Sequence, residues 1–156
     1  MSDQAVRELL AKMLSWEDAH AGFDAAVENI PEDFRGKRGG PHSPWELVEH
    51  IRIAQHDILD FSINKDYEEM AWPSDYWPRS PAPSSAAEWD KSIESFREDR
   101  EALRKLTLDK SIDLSSAIPH GSGQTYMREI ALAADHTAYH VGQLILVRKL
   151  LGIWKS

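Results

Sequence analysis

The chain has 156 residues, 42% of them hydrophobic and 28% charged, with six tryptophans and no cysteine. That suffices for a single domain over residues 1–156 burying roughly 68–70% of its unfolded surface. A net charge of −8 and a pI near 5.3 oppose the counterion release that drives nucleic-acid binding and disfavour anionic lipid, so neither is an expected partner. Without cysteine there is no disulfide, no zinc–thiolate site and no protein-borne sulfur nucleophile. The opening sixteen residues lack the basic-then-apolar order of an export signal, and no run approaches the ~20 apolar residues that span a bilayer, so a cytoplasmic protein is expected.

From Val6, apolar positions recur every three or four residues through Leu9, Met13, Trp16, Phe23, Val27 and Ile30. That pattern predicts one long helix with His20 on the same inward stripe, stopped by Pro31. The run Phe34–Pro41 is a glycine-rich loop, with turn chemistry and little else. Ser43, Pro44 and Glu46 then spell an N-cap, a first-position proline and a capping box. The second helix carries Leu47, His50, Ala54, Ile58 and Phe61 inward, while His56, ~240° around the axis from His50, faces elsewhere.

Residues 64–83 hold Trp72-Pro73, Trp77-Pro78, Pro81 and Pro83, which reads as a long connection rather than a helix. A connection of that length can travel the height of a bundle and leave its two helices parallel. Ser85 and Glu88 cap a third helix with Trp89, Ile93, Phe96 and Leu103 inward. After a loop with Pro119 and Gly121, a fourth helix runs from about Gln124 to about Leu151, its stripe being Leu132, His136, His140, Gln143, Val147 and Leu150. The expected fold is therefore all-α, an up-down-down-up four-helix bundle with its crossover between helices 2 and 3.

His136 and His140 are four residues apart, separated by ~40° around the axis and one turn along it, so both imidazoles can reach one ion. Such pairs also arise in helices by chance. Height discriminates: at ~1.5 Å rise per residue the pair lies ~18–24 Å up the fourth helix, and His50, descending from Pro44, lies ~9 Å below the top of a ~30 Å bundle. The three rings share one layer, and His20 comes out at a similar height. A set of core histidines satisfied by polar neighbours is the alternative, but several in one layer are costly without a shared partner. A metal supplies that partner.

Glu129 shares the inward face of the fourth helix but lies ~10 Å below His136, so it reads as a solvated or bundle-end charge rather than a ligand. Arg100 reads as snorkelling, and His42 and His120 as exposed loop residues, a class that can also approach a bundle mouth.

The runs Ser43–Ile51 (SPWELVEHI) and Asp135–Gly152 (DHTAYHVGQLILVRKLLG) resemble the DinB-like (DinB/YfiT) superfamily of four-helix metalloproteins. The most specific piece is the HxxxHxGQ pattern from His136 to Gln143. The resemblance implies a metal-binding triad of His50, His136 and His140, a place for Gln143 around those ligands, and a homodimer. Three protein ligands leave one position open, as in catalytic zinc sites. One divalent ion is expected, zinc first, with nickel or iron also suited to imidazole. The resemblance further implies a metal-dependent transferase acting on a small-molecule substrate with a low-molecular-weight thiol as co-substrate. His20 is then a candidate proton shuttle and Trp89 a pocket wall. The alternatives are hydrolysis by metal-bound hydroxide and a non-catalytic stress-response protein that uses the metal to hold a ligand.

Overall fold

The computed structural model describes residues 3–155. Five helices are present, α1 (Asp3–Met13), α2 (Phe23–Val27), α3 (Pro44–Ile63), α4 (Ala86–Leu108) and α5 (Tyr126–Leu150), with no strand among the described residues. A single antiparallel bridge joins Ala117 to Thr125.

The three long helices begin where side chains can satisfy their free amides. The Ser43 hydroxyl accepts from the Glu46 amide at 3.1 Å, and Glu46 Oε2 accepts from the Ser43 amide at 2.7 Å, so the expected capping box is formed. Ser85 accepts from the Glu88 amide at 3.1 Å, and Thr125 from the Arg128 amide at 3.2 Å.

The first predicted helix is two. Residues 14–22 are not helical; across the turn the exposed Lys12 donates to Asp18, and Gly22 packs against Glu17. A Cβ at Gly22 would meet Glu17 Oε1 at 2.5 Å. α2 also ends before Pro31, with Asn29 in the left-handed region at φ 56°. The buried positions of α1 are Arg7, Leu10 and Ala11, followed by Leu14, while Leu9 and Trp16 are exposed. The true stripe is thus one residue out of phase with the apolar count.

Arg7 causes the shift. Its guanidinium donates to the carbonyls of Thr107 (3.0 Å), Asp109 (2.9 Å) and Ile112 (2.6 Å) and to Asp3 at 2.7 Å. The charge thereby sits on the orphan carbonyls and negative dipole end of α4. At the other end of the molecule Arg148 donates to the Ala26 carbonyl at 2.7 Å, closing α2 in the same way.

Two apolar clusters fill the core. One joins Leu47, Val48 and Ile51 of α3, Trp89, Ile93 and Phe96 of α4, Val141, Leu144 and Val147 of α5, and Phe23 and Val27 of α2. The other joins Ile58 and Leu59, Leu103 and Leu106, Ile130 and Ala133, and Leu10 and Leu14 of α1. The first turns of α3 and α4 therefore share a cluster with the end of α5, and their later turns with its beginning. Leu150, expected inward, is exposed in the last turn of α5, where Val147 and Arg148 take the buried positions. The connection from residue 64 to 85 is ordered against α3: Tyr67 and Tyr76 both donate their hydroxyls to Asp57, at 2.8 and 2.7 Å.

Candidate metal centre

His50 projects from the second turn of α3 and His136 and His140 from the middle of α5, and the helix pairing brings all three rings together. His50 Nε2 lies 3.1 Å from His140 Nε2 and 3.1 Å from His136 Nε2. One ligand atom from each ring lies within 4.8 Å of the others. His50 is 1% exposed, His140 is buried and His136 half-buried.

Two of the rings are fixed from behind. His50 Nδ1 lies 2.7 Å from the Tyr76 carbonyl, and His140 Nδ1 lies 2.9 Å from Gln143 Oε1. Both partners accept, so each Nδ1 is the protonated nitrogen and each Nε2 carries a lone pair. Trp77 stacks on His50 with centroids 3.9 Å apart and planes 2° from parallel. His42 also stacks on Trp77, with centroids 4.3 Å apart.

Burial holds the triad neutral. It is the largest cause that pulls His50 down to about 4, against the opposing Tyr76 carbonyl and with smaller contributions from His140 and His42. Burial, then His140 and His50, bring His136 to about 4. Burial also lowers His140, with the Gln143 bond opposing it and His42 adding to it. Neutral imidazole is the form that ligates metal. The donor set fits a divalent cation: the 3.1 Å approach of His50 to His140 sets two bare nitrogens against each other, an arrangement that a shared positive charge relieves.

A scan against protein-family models matches the DinB superfamily over residues 15–144, a span that contains all three histidines. The chain belongs to the DinB superfamily. Comparison with curated proteins and with solved structures gives no match.

In this DinB-superfamily chain the remaining candidates divide. Gln143 contacts His140, as above. His56 is exposed and lies 2.9 Å from Asp99, away from the triad as its phase required. His20, expected inward in the histidine layer, is instead exposed in the turn before α2, with its Nδ1 3.0 Å from the Ala21 carbonyl. It borders an apolar cavity lined also by Thr137, Ala138 and Val141, positions that lie ~100–200° around α5 from His136. The correction follows from the break in the first helix. Trp89 is 3% exposed and packs against Trp45 at 6.3 Å and beneath the Arg35 guanidinium at 4.9 Å.

Sequence reasoning missed Trp77, the Tyr76 carbonyl and His42. The crossover has no periodicity from which to infer a facing direction, and only the paired Trp-Pro steps hinted that it is ordered. Glu129, read as a solvated or bundle-end charge, is instead buried, at 3% exposure.

Proposed function

We propose that this chain is a metal-dependent enzyme in which His50, His136 and His140 hold one divalent ion and a low-molecular-weight thiol is activated for transfer to an electrophile. The observation that carries this reading is the convergence of three Nε2 atoms on rings that burial keeps neutral. Zinc is the first choice, with nickel or iron equally compatible with imidazole. When bound, the ion would supply a Lewis acid with an open position, at which a thiol is deprotonated.

The residues around the triad have separable tasks. The Tyr76 carbonyl and Gln143 hold two rings in the ligating tautomer, and Trp77 shields His50 from water on one face. The sulfur has to be imported, because the chain has none outside its methionines. His20 has no part in this reading, and Trp89 contributes through the core.

We read the helices as an up-down-down-up bundle forming one domain. The sharing of core clusters by the first turns of α3 and α4 with the last turns of α5 supports that order. No helix among the described residues is long and apolar enough to cross a membrane. We propose a cytoplasmic homodimer, with the outer face of α5 as the surface to be covered, since Tyr139, Leu146 and Leu150 are exposed there.

The test is cobalt substitution. Adding a small thiol is expected to produce a sulfur-to-metal charge-transfer band and to accelerate reaction with a model electrophile beyond the free-solution rate, and His50→Ala should remove both. A spectrum indifferent to several biological thiols would overturn the transferase reading, and thiol-independent turnover of an ester or amide would put hydrolysis in its place.

A further inference from the structure

Seven residues along a helix return a side chain to nearly the same face two turns away, ~10 Å along the axis. Asp57 stands in that relation to His50, and Glu129 to His136. Both carboxylates line one cavity of about 560 Å³, in the size range of small-molecule sites. Leu132, one turn from His136, and Tyr76, whose carbonyl holds His50, also face it.

The two carboxylates differ in their partners. Asp57 receives the hydroxyls of Tyr67 and Tyr76, one on each oxygen. Glu129 has a side chain only 4% exposed; its Oε1 accepts from Arg128 Nη1 at 2.5 Å, and among the described residues no donor meets its Oε2. That oxygen keeps a little contact with solvent, so a donor entering the cavity can reach it. Glu69 also borders the cavity, so three carboxylates face the single guanidinium of Arg128 and leave a formal charge of −2. His120 lies in the same wall, with its Nε2 2.7 Å from the Phe61 carbonyl.

We propose that this cavity is the subsite for a cationic amino group of the substrate, with Glu129 as the carboxylate that receives it. Its assignment to the reaction rests on the reading of the histidine triad as the reaction centre. An ammonium is a compact charge with three donors, suited to one free carboxylate oxygen beside tyrosine hydroxyl oxygens. The same field opposes thiols or electrophiles whose far end carries carboxylates. The selected substrate class is therefore an amine-bearing small molecule.

The test titrates the full-length protein, metal-free and zinc-loaded, with n-hexylamine, 1-hexanol and hexanoate, reading Kd by calorimetry and metal content by elemental analysis. The amine is expected to bind about tenfold or more tightly than the alcohol, as one charge-assisted hydrogen bond allows, and hexanoate the most weakly. Glu129→Gln should remove the preference for the amine and leave alcohol binding unchanged. Arg128→Gln is the variant of opposite sign: the exposed site keeps a neutral amide donor beside Glu129, and removing the cation that competes for the carboxylate should tighten amine binding. Equal affinities for amine and alcohol, or amine binding that Arg128→Gln leaves unchanged or weakens, would overturn the proposal. A protein that selects the amine but takes up no metal would leave the cation subsite standing and remove the triad reading instead.

Discussion

His50 and Arg7 are almost equally buried, at 1% and 3% exposure, yet the chain treats them in opposite ways. Arg7 is met by three backbone carbonyls and one carboxylate, so every cost of burying its charge is offset by groups the fold already contains. His50 is met on one side by the Tyr76 carbonyl and on the other by two more imidazoles. A buried polar group surrounded by acceptors that match it belongs to the architecture. One whose reactive nitrogen faces only nitrogens of its own kind belongs to a site for something else.

That contrast breaks first at Arg7. Arg7→Met leaves the carbonyls at the end of α4 without a donor and is expected to cost about 3–5 kcal/mol of stability, the range for removing one member of a buried charged set. Urea unfolding measures it, and a loss below ~1 kcal/mol would mean the guanidinium is not structural. The triad should respond in the reverse sense. His136→Ala is expected to abolish tight metal binding while metal-free stability changes by less than about 1 kcal/mol, because a group that lacks a matched partner contributes little to folding. An unfolded His136→Ala protein would erase the distinction between the two regions.

Gln143→Ala sharpens the comparison. It keeps all three ligands and frees His140 Nδ1, and it should lower metal affinity about 10–100-fold, the usual effect of losing a ligand's hydrogen-bond partner. Competition with a chromophoric chelator measures this, and an unchanged affinity would reduce the contact to packing.

Acidity acts on the same nitrogens. Folding lowers the His50 and His136 values from 6.5 to about 4, so between those limits the unfolded chain binds more protons than the folded one. Metal-free stability should therefore be full above pH 6.5 and fall as pH drops toward 4. Replacing both residues with Gln should flatten that slope, and a slope unaffected by the replacement would assign it elsewhere. The smallest effect is expected at His56, exposed beside Asp99: His56→Ala should leave metal content unchanged and stability within ~0.5 kcal/mol.

The triad was legible in the sequence because helical geometry converts residue number into height and angle. His136 and His140 needed only their spacing, and His50 only its distance from a start fixed by Ser43 and Pro44. The same arithmetic failed for His20, since it presumes an unbroken helix and apolar period alone does not register the turn over residues 14–22. Arg7 was illegible for a different reason: a charged residue reads as solvent-facing until its carbonyl partners, a hundred residues away in sequence, are known. Trp77 and Tyr76 lie in a segment where side-chain direction follows from docking onto Asp57 rather than from any period. Glu129 was given an inward face by its phase, but its default reading as a solvated charge failed, because the wall beside it is supplied partly by the crossover.

The central claim is that three neutral imidazoles, two buried and one half-buried, form a site for one divalent ion, and metal content tests it most directly. Protein prepared without an affinity tag, stripped and then offered zinc or nickel, is expected to bind about one ion per chain at neutral pH, and the His50→Ala, His136→Ala and His140→Ala proteins almost none. A well-folded wild-type chain that takes up neither metal would contradict the account.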